Sequence, residues 1–290
     1  MLRIEQNPKI YSQNFLKSSE FAERLVKKSG ISVTDFILEI GTGKGTLTKT
    51  LAKYSKKVIT FEIDHSLYKN TQIRLAPFNN VKVIYGDFLS SVLPNEPFKI
   101  FSNIPFIHTS KIIRKIIDEK HSPTESFLII QQEAANKLIG IPRPSQLSIL
   151  IKPWFEVKII EKISRYKFTP VPAVDSALVS IKKLKVPVIS LDQERDFKDF
   201  VVYVTGSWKP TVGEAIGKIF TQNQLDCLNI DLELKPLDLS FDEWIRMFSC
   251  FTNYVSFERK RLVFGAYSRQ RSREHSLKKI YRTRKTPFGR

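Results

Sequence analysis

Between residues 35 and 132, short runs rich in β-branched and aromatic residues alternate with stretches of helical spacing. Phe36–Ile40, Lys57–Glu62, Val81–Tyr85, Phe98–Ser102 and Phe127–Gln131 read as strands, with helices expected over 45–54, 65–75, 109–119 and 132–140. Strands separated by helices have to pair in parallel, because a crossover long enough to hold a helix returns the chain to the same end of the sheet. The expected fold class is therefore α/β, with a mostly parallel sheet covered by helices on both faces. Val157–Ile163 and Ala177–Ile181 read as two further strands, forming an antiparallel edge.

After Lys185 the strands stop and Pro187 breaks the chain. Phe197–Val204, Val212–Phe220 and Asp242–Phe251 have helical spacing, and Trp244, Ile245, Phe248 and Phe251 form one apolar stripe that reads as core. Ser240 and Glu243 make a capping box at the start of the last helix. The expected organisation is an α/β domain over 1–184, an all-helical domain over 185–257 and a basic tail over 258–290.

That tail holds most of the +18 net charge: twelve Lys and Arg against Glu258 and Glu274. Like charges at this density repel unless they settle on a polyanion, and phosphate backbones supply one through counterion release. Arg259, Lys260, Arg261, Arg269, Arg271, Arg273, Arg282 and Arg284 are the candidate nucleic-acid contacts, with Tyr267, Tyr281 and Phe288 able to stack on unpaired bases. A solubilising tail and an anionic membrane surface are the alternatives. The tail's few large aliphatic residues argue against the membrane.

Composition narrows the classes further. A hydrophobic content of 42% excludes a disordered chain, and no apolar run approaches the roughly 20 residues of a membrane span. The first residues carry no apolar signal region. Cys227 and Cys250 cannot make a disulfide framework, which fits a reducing cytoplasm. Four scattered histidines without a Cys-x-x-Cys pair give no expectation of a metal.

The turn after the first strand reads Glu39-Ile-Gly41-Thr-Gly43-Lys-Gly45. It lacks the Gly-Lys-Ser/Thr of a P-loop and the third glycine position of a dinucleotide fingerprint. It resembles the first motif of methyltransferases that use S-adenosyl-L-methionine, whose carboxylate suits a helix N-terminus. A tight strand–helix turn without a ligand is the plainer alternative. Glu62 ends the next strand 21 residues after Gly41, where such sheets place an acid for ribose hydroxyls. Asp87 ends the third strand over the same crevice, placed for an adenine amino group. Singly, each could be a solvated strand-end acid.

Asn103-Ile104-Pro105-Phe106 closes the fourth strand and is similar to the signature of amino-group methyltransferases. The exocyclic amine of adenine is a poor nucleophile, since its lone pair is delocalised into the ring. Two acceptors, the Asn103 side-chain oxygen and the Ile104 carbonyl, can hold its hydrogens and draw the nitrogen toward tetrahedral geometry. Pro105 fixes the turn and Phe106 offers a stacking face. Transfer then depends on positioning. An ordinary Asn-X-Pro turn is the alternative reading.

Together these motifs resemble the ribosomal RNA adenine-N6 methyltransferases, the erythromycin-resistance (Erm) enzymes and their small-subunit dimethyladenosine transferase relatives, over residues 8–257. The resemblance implies a Rossmann-like catalytic domain and a small helical domain. It extends to Gln13-Asn14-Phe15-Leu16, implying cofactor contacts at Asn14 and Leu16 beside Gly41, Gly43, Glu62, Asp87 and Asn103. It also extends to Phe168-Thr-Pro-Val-Pro-Ala-Val-Asp-Ser176, implying that Phe168 is a second ring opposite Phe106 for a base flipped from its stack. Within the family the expectation is a cytoplasmic, monomeric enzyme acting on one adenine of 23S ribosomal RNA, naked or in an early precursor. The small-subunit enzyme is expected to carry Asn-Leu-Pro-Tyr where this chain has Asn-Ile-Pro-Phe, and a DNA adenine methyltransferase to carry proline at 104. A non-catalytic nucleic-acid binder is expected to have lost the glycine turn or Asn103, and both are present.

Overall fold

The computed structural model describes residues 14–119, 121–206 and 209–276. The chain divides into two compact units between Val188 and Ile189. The break falls four residues past the expected boundary because two backbone bonds tie the connecting segment to the first unit, Leu184 N–H to the Trp154 carbonyl and Val188 N–H to the Pro153 carbonyl.

The first unit runs β1 (Phe15–Leu16), α1 (Ser19–Lys28), β2 (Phe36–Ile40), α2 (Thr46–Tyr54), β3 (Lys57–Glu62), α3 (His65–Leu75), β4 (Val81–Tyr85), β5 (Lys99–Asn103), α4 (Thr109–Asp118), β6 (Glu125–Gln131), α5 (Gln132–Ile139), α6 (Gln146–Ile151), β7 (Phe155–Ile163), β8 (Phe168–Thr169) and β9 (Ser176–Lys183). Seven strands form one sheet in the order β4-β3-β2-β5-β6-β9-β7. All pairs from β4 to β6 are parallel. The antiparallel strand is β9, which sits inside the sheet between β6 and β7; β7, on the edge, runs with the parallel set. The order reverses at β2, whose five residues are all buried. A crevice opens at the carboxyl ends on either side of such a switch point, and open sheets bind ligands there.

Two features escape the strand–helix alternation. Helix α1 is capped by the Ser18 hydroxyl and buries Phe21, Ala22, Leu25 and Val26. The two-residue strands β1 and β8 pair antiparallel, Leu16 opposite Phe168, and draw the segment that begins at Asn14 onto the sheet's carboxyl end.

The second unit holds α7 (Glu194–Gly206), α8 (Val212–Ile216), α9 (Gln222–Leu228), α10 (Phe241–Tyr254), α11 (Phe257–Lys260) and α12 (Ala266–Ser276). Phe200 is its hub, with ring centroids of Phe251, Phe248, Trp244 and Phe220 at 4.9, 5.9, 6.2 and 6.4 Å. Ser240 and Glu243 make the capping box, and the buried face of α10 uses Met247 where the sequence stripe puts Ile245. The helix expected over 212–220 stops at Ile216, with Gly217 at its end.

The basic tail begins later than its charge suggests. Residues 257–260 and 266–276 are helical. The buried Asp199 carboxylate of α7 accepts the backbone N–H groups of Gly265 at 2.7 Å and Tyr267 at 2.8 Å, capping α12 from a neighbouring helix. Residues 258–276 thus belong to the helical unit. Arg282 and Arg284 lie outside the described residues.

Candidate active site

One cavity opens at the switch point. Its wall includes Asn14, Leu16, Gly41, Gly43, Glu62 and Asp87, together with Asn103, Ile104 and Phe106. Asn14 and Asn103, 89 positions apart in the chain, meet there because β1, β2, β3 and β5, and the turn after β4, all end on the same side.

The glycine turn is built for a ligand's close approach. Gly41 has φ +82° and open space where a side chain would stand, and Gly43 has φ +55°. A Cβ on Gly43 would fall 2.7 Å from Phe15 Cε1, so only glycine lets that ring lie over the turn. Lys44 stands above the same ring, its ammonium 5.0 Å from the centroid. The motif reading gives Phe15 no role of its own, although its place in the Gln-Asn-Phe-Leu run is a signal.

The two acids of β2 and β3 differ in partners. Glu62 is 2% exposed; its Oε2 accepts Gly43 N–H at 2.8 Å and its Oε1 accepts Asp64 N–H at 2.9 Å. Burial raises its carboxyl above the ordinary range, and these backbone bonds oppose that rise. Each oxygen retains a lone pair for a ligand hydroxyl. Glu39 is 1% exposed; Thr48 Oγ1 donates to its Oε2 at 2.6 Å, and its Oε1 is buried without a partner among the described residues. Burial pushes it up to about 8 against the pull of the Thr48 and Thr60 hydroxyls, and nearby Glu62 adds to the rise. Asp87 is exposed at the rim, where its Oδ1 accepts Leu89 N–H at 2.8 Å and leaves Oδ2 for another donor.

At the end of β5, the Asn103 amide nitrogen donates to the Asn14 carbonyl at 2.6 Å. A carbonyl accepts only, so this bond sets the orientation of the amide and leaves Oδ1 as a free acceptor. Its neighbour Ser102 is locked between both backbone groups of Ile40, accepting the N–H at 3.1 Å and donating to the carbonyl at 2.5 Å. The chain then turns at Pro105, whose carbonyl accepts His108 N–H at 2.9 Å, and presents a half-buried Phe106 to the cavity.

Phe168 requires a correction. It is fully buried, packed in one cluster with Leu16, Phe21, Phe101 and Phe127, and it does not line the cavity. Its pairing with Leu16 turns the ring into the core, so it braces β1. The candidate RNA contacts also divide. Lys260 donates to the Thr252 carbonyl at 2.7 Å and Arg259 points at the Ile219 carbonyl, so both are half-buried in the helical unit. Arg271 is half-buried beside Glu274, whereas Arg261, Arg269 and Arg273 are exposed. No group of three or more His, Cys, Asp or Glu close enough for a metal occurs among the described residues.

A parallel sheet with a glycine turn at its switch point, strand-end acids and an Asn-Ile-Pro-Phe corner defines an S-adenosylmethionine-dependent methyltransferase. A family model described as ribosomal RNA adenine dimethylase matches residues 4–253, and the chain belongs to that family. An rRNA adenine N-6-methyltransferase of Lysinibacillus sphaericus is 32% identical over 242 residues, 83% of this chain and 95% of the relative. A ribosomal RNA small subunit methyltransferase A of Thermotoga maritima is 32% identical over 244 residues, 82% and 85% of the two chains. Among solved structures, the 23S rRNA methyltransferase ErmE is similar with a TM-score of 0.73 and 26% identity, covering 83% of this chain and 100% of that one.

The cofactor fits the cavity by chemistry: side-chain-free turn residues for its amino-acid end, the Glu62 oxygens for hydroxyls and a buried carboxylate for positive charge. When bound it supplies an electrophilic methyl on sulfur. Among the described residues no helix is long and apolar enough to cross a membrane.

Proposed function

We propose that this protein methylates N6 of one adenine in 23S ribosomal RNA and so confers resistance to macrolide, lincosamide and streptogramin B antibiotics. The orientation of the Asn103 amide carries the chemistry, because only a free Oδ1 can take a hydrogen from the adenine amine. The Ile104 carbonyl takes the second hydrogen, Phe106 stacks on the flipped base, and the proton leaving the amine passes to water. Glu62 holds ribose hydroxyls and Asp87 the adenine amino group of the cofactor. Gly41, Gly43, Asn14 and Leu16 complete its walls.

Asn-Ile-Pro-Phe at 103–106 and the +18 charge favour the large-subunit target, as does the likeness to the 23S rRNA methyltransferase ErmE. The 32% identity to a small-subunit methyltransferase favours the second reading, dimethylation of 16S RNA. Mapping methylated adenines in ribosomal RNA from cells with and without the protein decides between them. A new modified adenine in 23S and none in 16S is expected; the reverse pattern overturns the large-subunit reading. The enzyme acts in the cytoplasm, as a monomer, on RNA not yet covered by ribosomal proteins.

The basic end contributes affinity through phosphates. A deletion from 258 would remove the helix capped by Asp199, so the informative deletion is 277–290, which carries six Lys and Arg and no acid. It should weaken RNA binding and flatten the slope of log affinity against log salt by about 0.7 for each single-strand phosphate no longer neutralised. Titrations of RNA at several salt concentrations measure this; an unchanged slope removes these residues from the interface.

A further inference from the structure

Glu39 has no duty in the chemistry above, yet its placement is costly. It is an acid in the middle of an otherwise apolar strand, Phe-Ile-Leu-Glu-Ile, at the heart of the sheet. One oxygen is held by Thr48 and the other is buried without a partner, on a residue that lines the cofactor cavity. A buried acceptor left unmatched is destabilising unless something pairs with it. The titratable groups around it do not supply that pairing. Glu62, at the end of β3, repels it. Across the same cavity stand Asp87, Lys44 and His108. The Lys44 ammonium is already placed over Phe15, and Asp87 adds only further negative charge.

The ligand is what changes charge here. S-adenosylmethionine carries a positive sulfonium, and its product S-adenosylhomocysteine carries a neutral thioether with the rest of the molecule unaltered. A unit positive charge a few ångströms from a buried carboxylate lowers its proton affinity by roughly a hundredfold. We propose that Glu39 senses the sulfonium of the bound cofactor: protonated when no sulfonium occupies the cavity, it releases its proton to solvent as S-adenosylmethionine binds and recovers one once the methyl has left. Atoms and charge balance, because the carboxylate replaces the proton with the sulfonium as its counter-charge and regains a proton from water when that charge disappears. An ionised Glu39 facing a neutral thioether is the unfavourable state, so the residue favours binding of the reactive cofactor and departure of the spent one. The elevated carboxyl of the cavity without ligand agrees, since at neutral pH most Glu39 then holds a proton. The inference rests on the cofactor and is independent of which ribosomal RNA is methylated.

Isothermal titration of the full chain at pH 6.5, in two buffers of different ionisation enthalpy, counts the protons. At that pH the amino group of both ligands stays protonated, below the α-amino range of about 7.7–8.0. S-adenosylmethionine should release at least half a proton more than S-adenosylhomocysteine, and Glu39→Gln should erase the difference. Equal counts for the two ligands in the native protein overturn the proposal, as does a difference that survives in Glu39→Gln. Should that variant not fold, the native protein still decides. The ratio of the S-adenosylhomocysteine to the S-adenosylmethionine dissociation constant should rise toward tenfold between pH 6 and pH 7, and a flat ratio rejects the idea.

Discussion

Asn103→Ala should lower the methyl-transfer rate by about 10²–10³-fold, the loss typical of removing one group aimed at the developing transition state. The variant keeps the Ile104 carbonyl but has nothing to hold the second amine hydrogen, so the nitrogen stays planar and its lone pair stays in the ring. Cofactor affinity should fall no more than about fivefold, because the alanine gives up one hydrogen bond to Asn14, worth about 1 kcal/mol. Asn103→Asp should be no better. A carboxylate has no donor for the Asn14 carbonyl, and two acceptors 2.6 Å apart repel. Single-turnover transfer of labelled methyl and a separate cofactor titration measure the two effects. Near-native transfer in the alanine variant would remove Asn103 from the mechanism, and a transfer defect matched by an equal loss of cofactor binding would reassign it to the cofactor.

How much of the fold is legible in the chain follows from where physical signals are local. The five parallel strands and their helices can be read because runs such as Phe36–Ile40 and Lys57–Glu62 are dense in β-branched and aromatic residues and bounded by turn chemistry. The cavity residues from Gly41 to Phe106 can be placed because each lies at or just past the end of a strand, and parallel strands end on one side, whereas Asn14 and Leu16 follow only from the family resemblance. Other features depend on long-range pairing. Strands β1 and β8 are two residues long, too short for any period, and only their pairing decides that the Phe168 ring faces the core. Glu39 looks like part of a motif, but its isolation depends on both sheet faces being covered, which five letters do not reveal. The tail misleads for another reason. A count of charges does not say which lysine ends on a backbone carbonyl, as Lys260 does, or that Asp199, sixty-six residues before Gly265, caps the helix beginning at Ala266. Helix α1 lies ahead of the strand–helix alternation that begins at residue 35 and is not read with it, although its signal is local: Ser18 at its cap and Phe21, Ala22, Leu25 and Val26 at helical spacing.

Glu62→Ala should raise the dissociation constants of S-adenosylmethionine and S-adenosylhomocysteine together, by roughly a hundredfold. That is about 3 kcal/mol, the worth of hydrogen bonds from ligand hydroxyls to a charged acceptor. The two ligands share the ribose, so a ribose anchor cannot distinguish them. Two backbone amides also lose their partner, since Gly43 and Asp64 both donate to this carboxylate, and the glycine turn is held to β3 through it. Glu62→Gln should be nearly as damaging: its single carbonyl oxygen can serve one amide, and its NH₂ group meets the other donor to donor. The outcome separates three acids and amides that line one cavity. Loss at Glu62 weakens both ligands equally, change at Glu39 alters the difference between them, and loss at Asn103 slows transfer while sparing both. If Glu62→Ala weakens S-adenosylmethionine alone, the carboxylate is responding to the sulfonium and the assignments of Glu62 and Glu39 must be exchanged. If it weakens neither, its two backbone bonds are its whole role and the ribose is held elsewhere.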